Sequence, residues 1–304
     1  ISFRSVNFYL HHCKLQWFAR AAVSVSHPVE RGMGIVANNE FVDNLTVRAE
    51  RHGESWWTPS YGVVVSAPAE KWPVVHPGTD TFLFIEDNYF SGHRHAVAGG
   101  HNGLYVFRYN HVERSANTHP IDMHGARPPH VDRNYRYSTR FTEIYGNTVV
   151  GTPKESPLCG RYGNLFAVSV RGGEAVVWGN TFRNLETPVK IRVEPAFYRF
   201  ETKEHPVPTY PVPYQAGYVS AVEYGPDHTG TDVDTFGRGD VFVWENTLVN
   251  VKEEIIVMPS AGYFKEGRDY HRVPRPGYRP YPYPHPRRRP EEAADRVLKK
   301  TGKE

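Results

Sequence analysis

Three short runs of the chain carry polar side chains suited to acid–base chemistry, spaced at alternate positions. They read His119-Pro120-Ile121-Asp122-Met123-His124-Gly125, Ala167-Val168-Ser169-Val170-Arg171-Gly172 and Pro188-Val189-Lys190-Ile191-Arg192-Val193. An imidazole close to a carboxylate can act as a general acid or base near neutral pH, since histidine titrates at about pH 6.5. Cations brought to one place repel each other unless an anion offsets them, so Arg171, Lys190 and Arg192 together call for an acidic ligand. The residue types point to proton abstraction beside a bound carboxylate. His124 is the expected base, Asp122 the group orienting its ring, and Arg171 a neutralising cation of the same catalytic set. Lys190 and Arg192 are expected to bind substrate. So are Arg94, just before the strand-like run His95–Gly99, and His119 at the start of the first run.

A metal is a second possibility for the same residues. His95 and His119 sit at strand starts, and with Asp122 and His124 they would make a three-imidazole, one-carboxylate site for a divalent cation. Trp56 and Trp57 could stack on sugar rings, or pack down the segment that carries them. His93, His101, His111 and His130 read as surface residues. Cys13 and Cys159 are the only cysteines. Two buried thiols and a disulfide both remain open, and no Cys-x-x-Cys spacing exists for zinc.

For these side chains to act together, the three runs must lie side by side. Each alternates apolar and polar residues, the pattern of a strand with one buried face. Ile121 and Met123, Val168 and Val170, and Val189 and Ile191 would enter a core. Asp122 and His124 would then share the outer face, about 7 Å apart at roughly 3.3 Å per residue. A repeat supports stacking. The pattern apolar-x-x-Asn-x-apolar recurs with Asn at positions 39, 88, 110, 147, 180 and 246. Short strands joined at Asn-containing turns cannot bury an apolar face alone, but stacked coils can. Asn in the left-handed conformation at each turn would hydrogen-bond to its neighbours above and below, forming an Asn ladder. The shortest gap is one coil; longer gaps are coils with insertions or coils lacking the marker. The expected fold is all-β, a right-handed parallel β-helix (solenoid) with loop insertions and an extended C-terminal tail. A β-sandwich with Asn in its hairpin turns is the alternative.

In order, residues 1–30 make an N-terminal strand or a short capping helix. Residues 47–80 read as a long insertion flanking Val63-Val64-Val65, 194–235 as another, 127–136 as a polar loop and 81–193 as the compact coils, with coil structure resuming at Asp240–Met258. The β-helix domain spans 1–270. In 271–304 the run Tyr278-Arg-Pro-Tyr-Pro-Tyr-Pro-His-Pro-Arg-Arg-Arg-Pro290 reads as a solvated, polyproline-like tail before a short charged helix. No apolar run approaches the roughly 20 residues that cross a bilayer. The formal charge of +3 is spread along the chain and gives no basis for nucleic-acid binding. The chain begins at Ile1 without a signal-peptide pattern, which reads as a processed product or a fragment.

Arg94-His95-Ala96, Asp122-Met123-His124-Gly125 and Val170-Arg171-Gly172 resemble segments of right-handed parallel β-helix proteins of the pectate-lyase-like superfamily. They are most similar to an uncharacterised subgroup with an Asp-Met-His-Gly strand. The resemblance covers roughly residues 81–193. It implies a site on the exposed face of a parallel sheet, an acidic polysaccharide as partner, and an extracellular or cell-surface location. The calcium-binding acidic cluster of pectate lyases is not recognisable, and calcium is the cofactor left open. The expected function is a polysaccharide lyase cleaving a uronate-containing glycan by β-elimination. Hydrolysis fits less well, because it normally needs two facing carboxylates. Only Asp122 is evident, with Glu194 or Asp132 as loop candidates for a second. The alternative is a non-catalytic β-solenoid, a surface, sheath or fibre protein that binds glycans or assembles into homo-oligomers or filaments.

Overall fold

The computed structural model describes residues 1–4, 7–18, 20–26, 34–44, 60–67, 75–115, 119–125, 138–152, 166–192, 240–258 and 265–288. Among these the regular structure is entirely β-strand, numbered β1–β23 along the chain and arranged in three parallel sheets. Sheet A runs β1 (Ser2–Phe3), β4 (Ala21–Ser26), β7 (Tyr61–Ser66), β10 (His95–Gly100), β13 (Ile121–Met123), β16 (Val168–Val170), β19 (Val189–Arg192), β22 (Ile255–Met258). Sheet B runs β2 (Tyr9–His11), β5 (Gly34–Ala37), β8 (Leu83–Glu86), β11 (Leu104–Arg108), β14 (Phe141–Tyr145), β17 (Glu174–Trp178), β20 (Val241–Trp244), β23 (Tyr270–His271). Sheet C holds β3 (Lys14–Gln16), β6 (Glu40–Val42), β9 (Tyr89–Ser91), β12 (His111–Glu113), β15 (Thr148–Val150), β18 (Thr181–Arg183) and β21 (Thr247–Val249). Neighbours within each sheet differ by three in strand number, so successive coils each add one rung to all three sheets. That interleaving is a β-solenoid. Among the described residues no helix is long and apolar enough to cross a membrane.

The Asn repeat marks the coils. Nδ2 of Asn39 donates to Oδ1 of Asn88 at 2.9 Å, Asn88 to Asn110 at 3.0 Å and Asn110 to Asn147 at 3.1 Å. Asn147 continues to Asn180 and Asn180 to Asn246, both at 2.9 Å. The backbone N–H of each Asn donates to the same oxygen, so every buried amide of the column is satisfied. The sequence gaps of 49, 22, 37, 33 and 66 residues are therefore one coil each, with no marker missing. One detail departs from expectation. The left-handed residue is the one before the ladder Asn: Asn38, Asp87, Tyr109, Gly146, Gly179 and Glu245 have φ between 51° and 66°. That residue makes the bend and leaves the Asn side chain pointing inward along the stack.

Inside, equivalent residues pile up. Val23, Val63, Val97, Ile121, Val168 and Val189 come from one position of sheet A, and all are inaccessible to solvent. Phe41 stacks on Phe90 at 4.6 Å in sheet C. Burying each such side chain contributes about 1.5–3 kcal/mol, and only neighbouring coils make that burial possible.

The choice left open for residues 1–30 falls to strands: β1 to β4 belong to the first coils, and no capping helix is present among their described residues. Two expectations are corrected. Within 47–80, read as an insertion flanking Val63-Val64-Val65, lies β7, a full rung of sheet A, so the coils begin well before residue 81. The C-terminal segment is not a solvated tail up to residue 288. After β23 it runs back over the outer face of sheet B towards the first coils. The Arg275 guanidinium lies 4.9 Å from the Phe141 ring, and Tyr278 Oη donates to Glu143 at 2.7 Å. Arg108 donates to the carbonyls of Tyr281 and Pro282, and Arg287 donates to Asn7 Oδ1 at 2.6 Å. The strap passes so close to Gly78 that a Cβ there would lie 1.8 Å from the Arg279 carbonyl oxygen, and Gly78 has φ +75°. Sheet B needs this cover. Its outward positions include Phe84, Val106, Val176, Phe242, Tyr145, Trp178 and Trp244, and a parallel sheet that is apolar on both faces must be buried on both. The expected loop at 127–136, the insertion at 194–235, and Trp56, Trp57, His130 and Cys159 lie outside the described residues. Cys13 is a free thiol.

Candidate functional site

Adjacent rungs of sheet A collect most of the residues singled out above. Asp122 pairs in register with Ser169, and Ser169 with Lys190. Two positions further on, His124, Arg171 and Arg192 align, because Met123 pairs with Val170 and Val170 with Ile191. Two positions before Ile121, His119 falls beside His95, which in turn pairs with Tyr61. The rings of Tyr61 and His95 stack at 5.4 Å, and those of His95 and His119 are 4.9 Å apart.

The plate is not an open surface. Asp122 is 1% exposed and Arg171 and Lys190 are each 8% exposed, while His124 and Arg192 are half-buried. At such depth a carboxylate must find cations, and Asp122 finds two partners. Arg171 donates Nε to Oδ1 at 3.0 Å and Nη2 to Oδ2, a bidentate pair, and His119 Nε2 lies 3.4 Å from Oδ1. Burial pushes the Asp122 carboxyl up, but Arg171 and the histidines outweigh it and hold it well below the usual carboxylate range. The Asp122 carbonyl also accepts the Tyr105 hydroxyl at 3.2 Å.

The expected Asp122–His124 dyad does not form. Successive outward side chains of one strand stand about 7 Å apart, whereas the neighbouring strand is about 4.8 Å away and its arginine is long. His124 Nδ1 instead lies 3.0 Å from the Gly125 carbonyl oxygen, to which it can donate.

Lys190 has the least ordinary setting. Its Nζ lies 4.1 Å from the Phe166 ring centroid, and no described carboxylate pairs with it. Burial, with Arg192 and Arg171 nearby, pushes its amine down to about 7. The described carboxylate of the cluster, Asp122, is taken by Arg171. Arg94 stands apart at the other end of the imidazole column, 5.9 Å over the Tyr61 ring.

His95 and His119 are both buried, and burial keeps both neutral: His119 is pushed down to about 4 and His95 well below its ordinary value. With Asp122 they form a group of potential ligand atoms all within 4.8 Å of one another. The donors are two nitrogens and one oxygen. Calcium takes six to eight oxygens, so this donor set does not suit it. His93, expected on the surface, is buried with Nε2 2.8 Å from the Phe41 carbonyl oxygen, and burial pushes it to about 4. His101 and His111 are half-buried.

Tyr61, Phe166 and Tyr105 escaped the reading of the sequence. The first two carried a signal. Each stands two residues before an inward apolar residue, Val63 or Val168, in the same relation that His95 has to Val97 and His119 to Ile121. Tyr105 carried none, since it reaches Asp122 from sheet B through the core. Comparison with protein-family models, with curated proteins and with solved structures returned no match for this chain.

Proposed function

We propose that the chain is a polysaccharide-active enzyme of pectate-lyase-like, right-handed β-helix type. It cleaves a uronate-containing glycan by β-elimination, outside the cell or at its surface. The supporting observation is Lys190, buried, without a carboxylate partner among the described residues, and depressed to about 7. A carboxylate arriving beside Lys190 restores the lysine's charge. Neutralising the uronate carboxylate acidifies the C5 proton. His124 Nε2 removes that proton, the C4–O bond breaks, and the electron pair forms the C4–C5 double bond. The imidazolium returns the proton to the departing oxygen. Asp122 serves as a positioning residue, holding Arg171 rather than His124. Substrate approaches at the His124–Arg192 edge, where the side chains are half-buried.

The test is incubation with pectate, alginate and glycosaminoglycans while following the ultraviolet absorbance of unsaturated uronates. Wild type should generate the chromophore. His124→Ala should lose about 10²–10⁴-fold of that rate with a native unfolding temperature. A wild-type protein inert on all of these substrates would remove the lyase reading. The near-complete burial of Asp122, Arg171 and Lys190 supports the second reading, a non-catalytic solenoid whose buried ion cluster is structural and which binds glycans or self-assembles. Filament formation or glycan retention without turnover would support it.

A further inference from the structure

We propose that His95, His119 and Asp122 form a binding site for one divalent transition-metal ion of the zinc type. His119 Nε2 and Asp122 Oδ1 are 3.4 Å apart. A charge-assisted hydrogen bond would close to about 2.7–2.9 Å. Two donors on one tetrahedral ion, with bonds of about 2.0–2.1 Å, stand roughly 3.3–3.4 Å apart. The His119–Asp122 spacing is that of two donors on one ion. His95 supplies the third donor, and one atom from each residue falls within 4.8 Å of the other two.

The surroundings match what a metal site asks of its outer shell. His95 Nδ1 lies 2.7 Å from the His119 carbonyl oxygen, so Nδ1 carries the proton and Nε2 is the ligand atom. Arg171 Nε and Nη2 each occupy one direction at the Asp122 carboxylate, which can accept about four bonds and so keeps capacity for a cation. Two imidazoles and one carboxylate suit zinc, iron(II) or cobalt(II), with a coordination position left over for water or substrate. The inference needs no catalysis and stands or falls apart from the lyase reading.

The experiment is calorimetric titration of metal-stripped full-length chain with Zn²⁺, paired with Co²⁺ absorption spectroscopy. The expected result is one ion per chain and the intense visible bands of four- or five-coordinate Co²⁺. Zn²⁺ should also raise the unfolding temperature. His95→Gln and His119→Gln should each bind more than about 100-fold more weakly, beyond the 10–100-fold cost of losing an outer-shell partner. If either variant fails to fold by circular dichroism, Asp122→Asn and the wild-type Co²⁺ spectrum decide. No heat with Zn²⁺ and no Co²⁺ bands in wild type would overturn the site. So would folded variants that bind as wild type does.

Discussion

The outer faces of sheets A and B both bury charge, and they handle it differently. On sheet B, Glu86 accepts from Arg108 Nε at 2.7 Å, from Arg288 Nη1 at 2.7 Å and from the His285 backbone N–H at 3.1 Å. Glu143 accepts from the Gly78 N–H and the Tyr278 hydroxyl, both at 2.7 Å. Many of the cations and donors come from the C-terminal strap, which seals a face that is otherwise apolar. On sheet A, Asp122 answers Arg171, while Lys190 has no described carboxylate and is pushed towards neutrality. Balanced charge on buried rungs holds the molecule together. Unbalanced charge on buried rungs costs stability, and it is where a ligand would restore the balance.

Removing a buried charge should therefore have opposite signs on the two faces. Glu86→Gln leaves Arg108, fully buried, and Arg288, nearly so, without their shared anion, and should cost about 3–5 kcal/mol. Chemical denaturation measures it, and a cost below about 1 kcal/mol would break the comparison. Lys190→Met removes an unpaired cation in favour of an apolar chain and should stabilise the protein by about 1 kcal/mol at pH 7.

That gain carries its own pH signature. Lys190 falls from an ordinary 10.5 to about 7 in the folded chain. Between those values the unfolded chain holds more protons, so wild-type stability rises with pH through the window. Below about pH 7 both states are charged and the penalty is complete. The Lys190→Met advantage should thus shrink steadily from pH 7 to 10.5, read as the difference between the two proteins' denaturation midpoints. A pH-independent difference would mean that Lys190 is an ordinary exposed amine.

The smallest effect sharpens where the strap is held. Arg287 reaches Asp80 at 3.0 Å and Asn7 at the rim, with half of its side chain in solvent. Arg287→Ala should shift stability by no more than about 0.5 kcal/mol by thermal unfolding. A loss comparable to that of Glu86→Gln would move the anchor from the buried node to the strap's end.

Much of the solenoid was legible because its signals are local. A strand shows its two faces by period-two alternation, and a coil shows its turn by Asn between apolar residues. Six such Asn therefore located six rungs of sheet C before any coordinates. β7 showed only as Val63-Val64-Val65 flanked by an insertion, because its marker, Asn39 or Asn88, lies in another sheet and the three valines alone do not alternate. The strap was misread for a different reason. Proline and arginine density normally signals solvation, and only the two-sided apolar character of Leu83–Ile85, Val106–Phe107 and Val241–Val243 hinted that sheet B required a cover. At the candidate site the set of residues was legible and their pairing was not.

The order of residues along the chain determined which side chains share a rung, since alternation and the Asn marker depend on neighbours a few positions apart. Burial and partnership were settled only by the tertiary structure. Arg171 reaches Asp122 across 49 residues and Arg288 reaches Glu86 across 202. Whether a lysine is charged, or a carboxylate points to one histidine and not another, depends on the dielectric and on the nearest opposite charge. Both are set by segments that meet only when the coils stack and the strap folds back.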